Sequence, residues 1–305
     1  MHIELHRTFR ELAQSKGASS DNHLLHPGGD QLTWEDLLKE RRVIVLSEAG
    51  SGKTQEIREA ARRLRQEGKA AFFLRLENVA LDFESSFEEG TIAEFQSWIV
   101  SSDPGWLLLD SVDESRLKSP SDFERAIKKI SSRLGPAKQR AYVYVAGRAP
   151  AWRPVTDREL CEGLLPHFAA NVAVIAGDGI DKATDIRSVN LRPDANARTF
   201  KVFTLDDLSP PQVERFASGQ GVVDTKAFLD AVERADAWSF TARPQDLQEL
   251  TEFWNENAHI GSRYDLMRNS VERRLKERDQ TRDEVKPLTP SRAREGVSGL
   301  TSSRV

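Results

Sequence analysis

The segment from Ser47 to Thr54 combines residue types that can bind a chain of phosphates. It reads Ser-Glu-Ala-Gly-Ser-Gly-Lys-Thr, follows a short apolar run and precedes a stretch of helical character. Glycines let the backbone approach phosphate oxygens, and the N–H groups of such a loop, together with a helix start, attract anions. Lys53 can reach the terminal phosphates, and the Thr54 hydroxyl can bind Mg²⁺. The predicted nucleotide contacts in this loop are Glu48, Ala49, Gly50, Ser51, Gly52, Lys53 and Thr54.

Ser47 departs from the strict pattern of a phosphate loop, which asks for glycine at this first position. Serine is small and the rest of the loop is intact, so we expect phosphate binding to survive. The alternative interpretation is a glycine- and serine-rich turn with an incidental lysine. The strand and the helix predicted on either side disfavour that alternative.

A group of acidic residues follows a second apolar run, which ends at Leu109. Asp110 comes directly after it, at the carboxyl end of a predicted strand, where open α/β sheets place their ligands. A carboxylate at that edge can hold Mg²⁺ together with Thr54. Either Asp113 or Glu114 can orient or deprotonate the water that attacks a terminal phosphate. The alternative is an acidic loop after a buried strand, which the phosphate-loop pattern upstream disfavours.

Arg148 follows the apolar run 141–146, which predicts another strand. A cation at that edge of the sheet could sense a terminal phosphate or stabilise its charge during transfer. A solvated arginine at a strand end is an equally good interpretation.

Apolar runs of strand length alternate with helical patterns as far as residue 205. Continuous apolar strands separated by helices indicate a parallel sheet with both faces buried. We predict an α/β fold of the P-loop NTPase class, with a mainly parallel five-stranded core sheet flanked by helices and followed by a small all-helical lid. The predicted core strands lie near 43–46, 70–76, 106–109, 141–146 and 200–205.

The same patterns divide the chain into four parts. Residues 1–40 predict a helical lead-in and a polar loop. Residues 41–205 predict the NTPase core, within which 151–199 form an irregular insertion. Residues 206–280 predict the helical lid, and 281–305 predict a polar tail that ends as if truncated.

Composition limits the class of protein. Of 305 residues, 38% are hydrophobic and 30% are charged, an ordinary globular balance. The net charge of −4 argues against a nucleic-acid partner. Cys161 is the single cysteine, so no internal disulfide forms, and no apolar stretch reaches membrane-spanning length. We therefore expect a cytoplasmic protein with no membrane partner.

The motifs together resemble the NACHT domain, a branch of the STAND signalling NTPases. The family's phosphate loop commonly reads Gly-Glu-Ala-Gly-Ser-Gly-Lys-Thr. Its acidic motif places a small residue after the Mg²⁺-binding aspartate and ends in Asp-Glu, and residues 110–114 read Asp-Ser-Val-Asp-Glu. Arg148 matches an arginine that often follows the family's fourth strand. The resemblance covers roughly residues 41–280 and includes Pro244, which is similar to a lid proline that reaches toward the nucleotide.

The resemblance implies a slowly hydrolysing ATPase switch that uses ATP, ADP and Mg²⁺. In the family, ATP favours an open, self-associating state and ADP holds a closed one. Members usually join an effector domain, the NTPase and a long sensor that detects a trigger. The resemblance therefore implies self-association through the NTPase and a trigger, as yet unknown, that is sensed by a C-terminal region missing from this chain. Many bacterial relatives act in antiviral defence.

Two other functions are compatible with these residues. A nucleotide-gated scaffold would bind ATP without turning it over, which the pair Asp113 and Glu114 disfavours. An AAA+-like remodelling ATPase would be stimulated by nucleic acid or by unfolded protein, and the acidic net charge counts against nucleic acid. ATP is expected rather than GTP because the chain has no Asn-Lys-x-Asp motif to read guanine.

Overall fold

The computed structural model describes residues 3–13, 26–110, 112, 121–167, 200–261 and 268. The strands in these ranges are β1 Phe9–Ala13, β2 His26–Leu32, β3 Arg42–Ser47, β4 Ala70–Arg75, β5 Phe87–Glu89, β6 Gly105–Asp110, β7 Ala141–Arg148 and β8 Lys201–Leu205. The α-helices are α1 Trp34–Leu37, α2 Lys53–Gln66, α3 Leu76–Val79, α4 Ile92–Val100, α5 Asp122–Leu134, α6 Thr156–Leu164, α7 Pro210–Gly219, α8 Thr225–Arg234 and α9 Pro244–Asn257.

The described strands form one mixed sheet in the order β2-β1-β8-β3-β7-β6-β4-β5. The adjacent strands β8, β3, β7, β6 and β4 run parallel, whereas β1, β2 and β5 pair antiparallel at the two sides. The chain passes from β3 to β4, returns through β6 and β7, and then crosses to β8 on the other side of β3. This reversal beside β3 produces a crevice at the carboxyl ends of the strands, where open sheets bind ligands.

Alternate side chains of β3 enter two different cores. Ile44 and Leu46 pack in a cluster with residues of α4, α5 and α6, and Val43 and Val45 pack in a second cluster with residues of α1 and α2. Helices therefore cover both faces of the sheet. A third cluster joins α7, α8 and α9 to Leu5 of the N-terminal segment.

One prediction about the fold is wrong and another is incomplete. The described part of residues 1–40 holds strands β1 and β2 with only the short helix α1, not a helical lead-in. The described sheet has eight strands, because β1, β2 and β5 add to the five predicted core strands. Strand β1 forms because it pairs with a neighbour on each side, β2 and β8. Strand β5 is three residues long and has no apolar run that would reveal it in the sequence.

The other predicted elements have mixed outcomes. The five predicted strand positions are confirmed as β3, β4, β6, β7 and β8. Residues 206–261 contain α7, α8, α9 and a short 3-10 helix, and their role as a lid stays a prediction. Residues 168–199 of the predicted insertion, most of 262–280 in the predicted lid, and the predicted tail 281–305 lie outside the described residues. None of the helices in the described ranges has the length and apolarity that a bilayer crossing requires.

Replacing Phe9 by alanine tests whether β1 packs into the hydrophobic core rather than lying on the surface. The Phe9 ring is fully buried and meets the Trp34 ring edge-on, with 4.8 Å between the centroids. We expect Phe9→Ala to lower the free energy of unfolding by about 3 to 5 kcal/mol, as deletion of a buried aromatic ring does. The exposed Glu11 on the same strand is the control, and Glu11→Ala should change stability by less than about 0.5 kcal/mol. Equal urea denaturation midpoints for the two variants would contradict this placement of β1.

Candidate phosphate-binding site

The phosphate loop joins β3 to α2 at the carboxyl edge of the sheet. It turns at Gly50 and Gly52, whose φ angles are 75° and 81°. Such positive values strain any residue with a Cβ atom, so both positions require glycine. Gly52 is also the N-cap of α2, a helix of 14 residues, so the free N–H groups of that helix start at the loop. The backbone is thus arranged to attract an anion.

Ser47 has a defined partner within the loop. Its hydroxyl lies 2.8 Å from the hydroxyl of Ser51, and either group can donate the hydrogen bond. Both side chains are buried. The bond joins the end of β3 to the turn before Gly52, so serine at the first position is accommodated without opening the loop.

Lys53 and Asp110 form a buried pair behind the loop. Lys53 Nζ lies 3.3 Å from Asp110 Oδ1, and the side chains are 9% and 0% exposed. Lys53 begins α2 and Asp110 ends β6, which is separated from β3 by β7. The parallel alignment of these strands brings the two residues to one edge, as the sequence predicts.

Asp110 has a second oxygen that the described residues leave without a hydrogen bond. Oδ2 is buried and has no hydrogen-bond partner among the described residues. Leaving a buried acceptor without a partner costs about 1 to 3 kcal/mol. A carboxylate oxygen is a preferred ligand of Mg²⁺, and the half-buried Thr54 follows Lys53 directly. The oxygens of Asp110 and Thr54 therefore fit the predicted metal site.

The structure describes some of the remaining predicted site residues and not others. Arg148 ends β7, is exposed, and is the backbone neighbour of Ser47 on β3. Pro244 begins α9, and its Cγ would lie 3.3 Å from a Cβ atom built on Gly52. Asp113 and Glu114 lie outside the described residues.

Three residues that the sequence did not single out contact the loop. Arg7 Nη1 donates to the Ser51 carbonyl at 2.9 Å. The backbone N–H of Gln245 donates to the Gly50 carbonyl at 3.2 Å, and Arg243 Nη1 donates to the Ala49 carbonyl at 3.4 Å. These groups come from the N-terminal segment and from the start of α9, so the loop is held by both ends of the described chain.

Arg7 is the most deeply buried of these three residues, with 2% of its surface exposed. Its Nη2 donates to the Asp206 carbonyl, directly after β8. Burial lowers the pKa of Arg7, and the carboxylates of Glu56, Asp207 and Asp206 oppose that shift. The guanidinium nevertheless remains charged at neutral pH.

A pattern in the sequence could have revealed Arg7. Leu5, Arg7 and Phe9 are all buried and lie two residues apart, whereas the intervening His6 and Thr8 are more exposed. A period of two indicates a strand or an extended segment. One arginine in an otherwise apolar row indicates a buried charge with a specific partner.

A cavity of about 630 Å³ opens beside the loop. Its walls include Gly50 and Gly52 of the loop, Glu56 of α2, Phe216 of α7 and Pro244 of α9. Its volume lies within the range of small-molecule sites. The cavity is therefore large enough for a ligand that also contacts the loop.

Comparison with known proteins assigns no activity to this site. No protein-family model and no curated protein matches the chain. Among solved structures, it is similar to a Walker-type ATPase from Pyrococcus abyssi, with 11% sequence identity and a TM-score of 0.42. The match covers 82% of this chain and 73% of the ATPase chain. A likeness of this degree transfers neither an activity nor a residue role, so the roles rest on the site itself.

A double-mutant cycle tests the bond between Ser47 and Ser51. Each single change to alanine leaves a buried hydroxyl without its partner, so we expect each to lower the free energy of unfolding by about 1 kcal/mol. The double variant should cost clearly less than the sum of the two single changes, because both partners are then absent. Chemical denaturation of the four proteins measures this coupling. Strictly additive losses would show that the two hydroxyls do not interact.

Proposed function

We propose that this chain binds ATP with Mg²⁺ at the phosphate loop and hydrolyses it slowly, as the nucleotide switch of a NACHT-type STAND protein. The observation that carries the proposal is the buried pair of Lys53 and Asp110 beside a loop with two left-handed glycines. The second Asp110 oxygen, which is buried and unpartnered among the described residues, supports a metal in the same place.

The charges of the pair explain why a nucleotide would bind there. In the free protein Lys53 and Asp110 have each other as charged partners, at a distance of 3.3 Å and largely removed from water. Burying an ion pair carries a desolvation cost that its own attraction often fails to offset. A bound phosphate chain with Mg²⁺ would place an anion beside Lys53 and a cation beside Asp110. Each buried charge then gains a partner of opposite sign.

The roles proposed for the other residues follow the same logic. Mg²⁺, when bound, would supply positive charge that offsets the negative charge developing during phosphoryl transfer. Thr54 and Asp110 would hold it, and Asp113 or Glu114 would position the attacking water. Arg148 would stabilise charge on the terminal phosphate from the end of β7.

The proposed switch couples the loop to the helices that follow β8. Pro244 and Gln245 at the start of α9 lie directly against the loop. A nucleotide that displaces or reinforces these contacts would bias the arrangement of α7, α8 and α9, as nucleotide-controlled segments do in other switches. We propose that the ATP state favours self-association and the ADP state a closed form, with a role in antiviral defence.

The first test is nucleotide binding by the Lys53→Ala variant. Removing the ammonium deletes a charge-assisted contact with the phosphates, so the dissociation constant for ATP with Mg²⁺ should rise about tenfold or more. Isothermal titration calorimetry measures it. Lys69→Ala is the matched control, because Lys69 is a more exposed lysine beyond the far end of α2. Equal affinity in wild type and Lys53→Ala would refute the assignment of Lys53.

The Asp110→Asn variant tests the metal site. Asparagine keeps the shape of the side chain but removes the charge that would attract Mg²⁺, so Mg²⁺ should no longer strengthen ATP binding. Affinity measured with EDTA should stay within a few-fold of wild type, since that condition never uses the metal. Asp103→Asn serves as the control at the opposite end of β6, on an exposed residue. An unchanged Mg²⁺ dependence in Asp110→Asn would place the metal elsewhere.

Turnover separates the switch from a scaffold that only binds ATP. A slow ATPase should release phosphate over many turnovers in the wild-type protein. This release should be lost in Asp113→Asn or in Glu114→Gln. ATP binding without phosphate release would favour the scaffold.

A further inference from the structure

Three consecutive carbonyl groups of the phosphate loop are held by groups from outside the loop. Arg243 binds the Ala49 carbonyl, the Gln245 N–H binds the Gly50 carbonyl, and Arg7 binds the Ser51 carbonyl. The contact from Arg7 is the shortest, at 2.9 Å, and its donor is a buried charge. Hydrogen bonds with a charged donor are about twice as strong as neutral ones.

Holding a carbonyl determines where the next N–H group points. No peptide bond among the described residues is cis. In a trans peptide the C=O and the following N–H lie on opposite sides. With the Ser51 carbonyl directed to Arg7, the Gly52 N–H is directed to the other side of the loop. Within the described part of the chain, that N–H donates to no other backbone group.

The position of Arg7 is fixed by the sheet. It lies two residues before β1, whose Phe9 pairs with Leu205 of β8. Its second nitrogen binds the Asp206 carbonyl, and the Asp206 N–H donates to Thr8 at 2.9 Å. The guanidinium therefore links the loop to the backbone at the end of β8.

Arg7 also carries a charge that the described residues do not fully compensate. Among the described residues, its two terminal nitrogens bind carbonyl oxygens and its buried Nε has no hydrogen-bond partner. The carboxylates of Glu56, Asp206 and Asp207 attract the guanidinium, but no described carboxylate forms an ion pair with it. A buried charge without a close counter-ion is costly to the folded protein. An anion bound at the loop would reduce that cost through its own negative charge.

We propose that Arg7 is a positioning residue of the phosphate site, which holds the Ser51 carbonyl so that the Gly52 N–H faces the phosphates. This inference rests on the proposed binding of a nucleotide. The ligand class it concerns is a di- or triphosphate group, and the nucleoside plays no part in it.

The experiment compares two arginines of the same neighbourhood. Arg7→Met keeps most of the side chain and removes the guanidinium. Arg215→Met makes the same change in an arginine that donates to the Glu4 carbonyl of the N-terminal segment, away from the loop. Both variants lose a hydrogen bond between the N-terminal segment and the rest of the chain, but only Arg7→Met loses a contact with the loop.

Calorimetric titration with inorganic pyrophosphate and with ATP in Mg²⁺ gives the readout. We expect about tenfold weaker binding of both ligands to Arg7→Met, and a change of about twofold or less for Arg215→Met. Arg7→Lys should recover part of the loss, because an ammonium can donate to one carbonyl but not span two as a guanidinium does. Wild-type affinity in a folded Arg7→Met protein would overturn the proposal.

A measurement on the wild-type protein covers the case in which Arg7→Met does not fold. In ¹⁵N-labelled protein, saturating pyrophosphate should move the Gly52 amide proton downfield as it becomes a hydrogen-bond donor. Binding without a change at Gly52 would overturn the positioning role and leave the proposed function intact. If the wild type binds neither pyrophosphate nor ATP, the proposed function fails and this inference falls with it.

Discussion

The burial of Lys53 and Asp110 as a pair is the constraint on which the site depends. Two charges can leave water together only when they lie close to each other, and these are 3.3 Å apart. Lys53 begins α2, directly after the loop that follows β3, and Asp110 ends β6; in the sheet β3 and β6 are separated by β7. The pair therefore requires the parallel alignment that brings the carboxyl ends of β3, β7 and β6 to one edge. The loop between β3 and α2 is held over that edge as a consequence.

The loop is also shaped by parts of the chain that contain no phosphate motif. Arg7 and the start of α9 bind its carbonyls from the N-terminal segment and from the last described helix. Leu5 packs with the helices α7 to α9, and Asp206 receives bonds from Arg7, Thr8 and Gln31. The loop, the sheet edge and these helices thus share contacts. In the proposed switch, a ligand that changes one of them affects the others, and that coupling is reciprocal.

Local signals in the sequence predicted the elements whose burial is complete. Strands β3 and β6 are apolar throughout their length because both of their faces are covered, so they are visible as continuous runs. The sequences of strands β1 and β5 contain no such continuous apolar run. Their conformation depends on pairing with β8 and with β4, which only the folded chain brings alongside.

The sequence by itself determined the phosphate loop, its lysine and the aspartate at the end of β6, because each lies in a short motif whose residue types suit its chemistry. Only the tertiary structure decided that Asp110 keeps one buried oxygen without a described partner, and that Arg7 contacts the loop. Arg7 is separated from Ser51 by 44 positions and from Asp206 by 199. Contacts over such distances depend on which strands become neighbours, and no local pattern of residues specifies that choice.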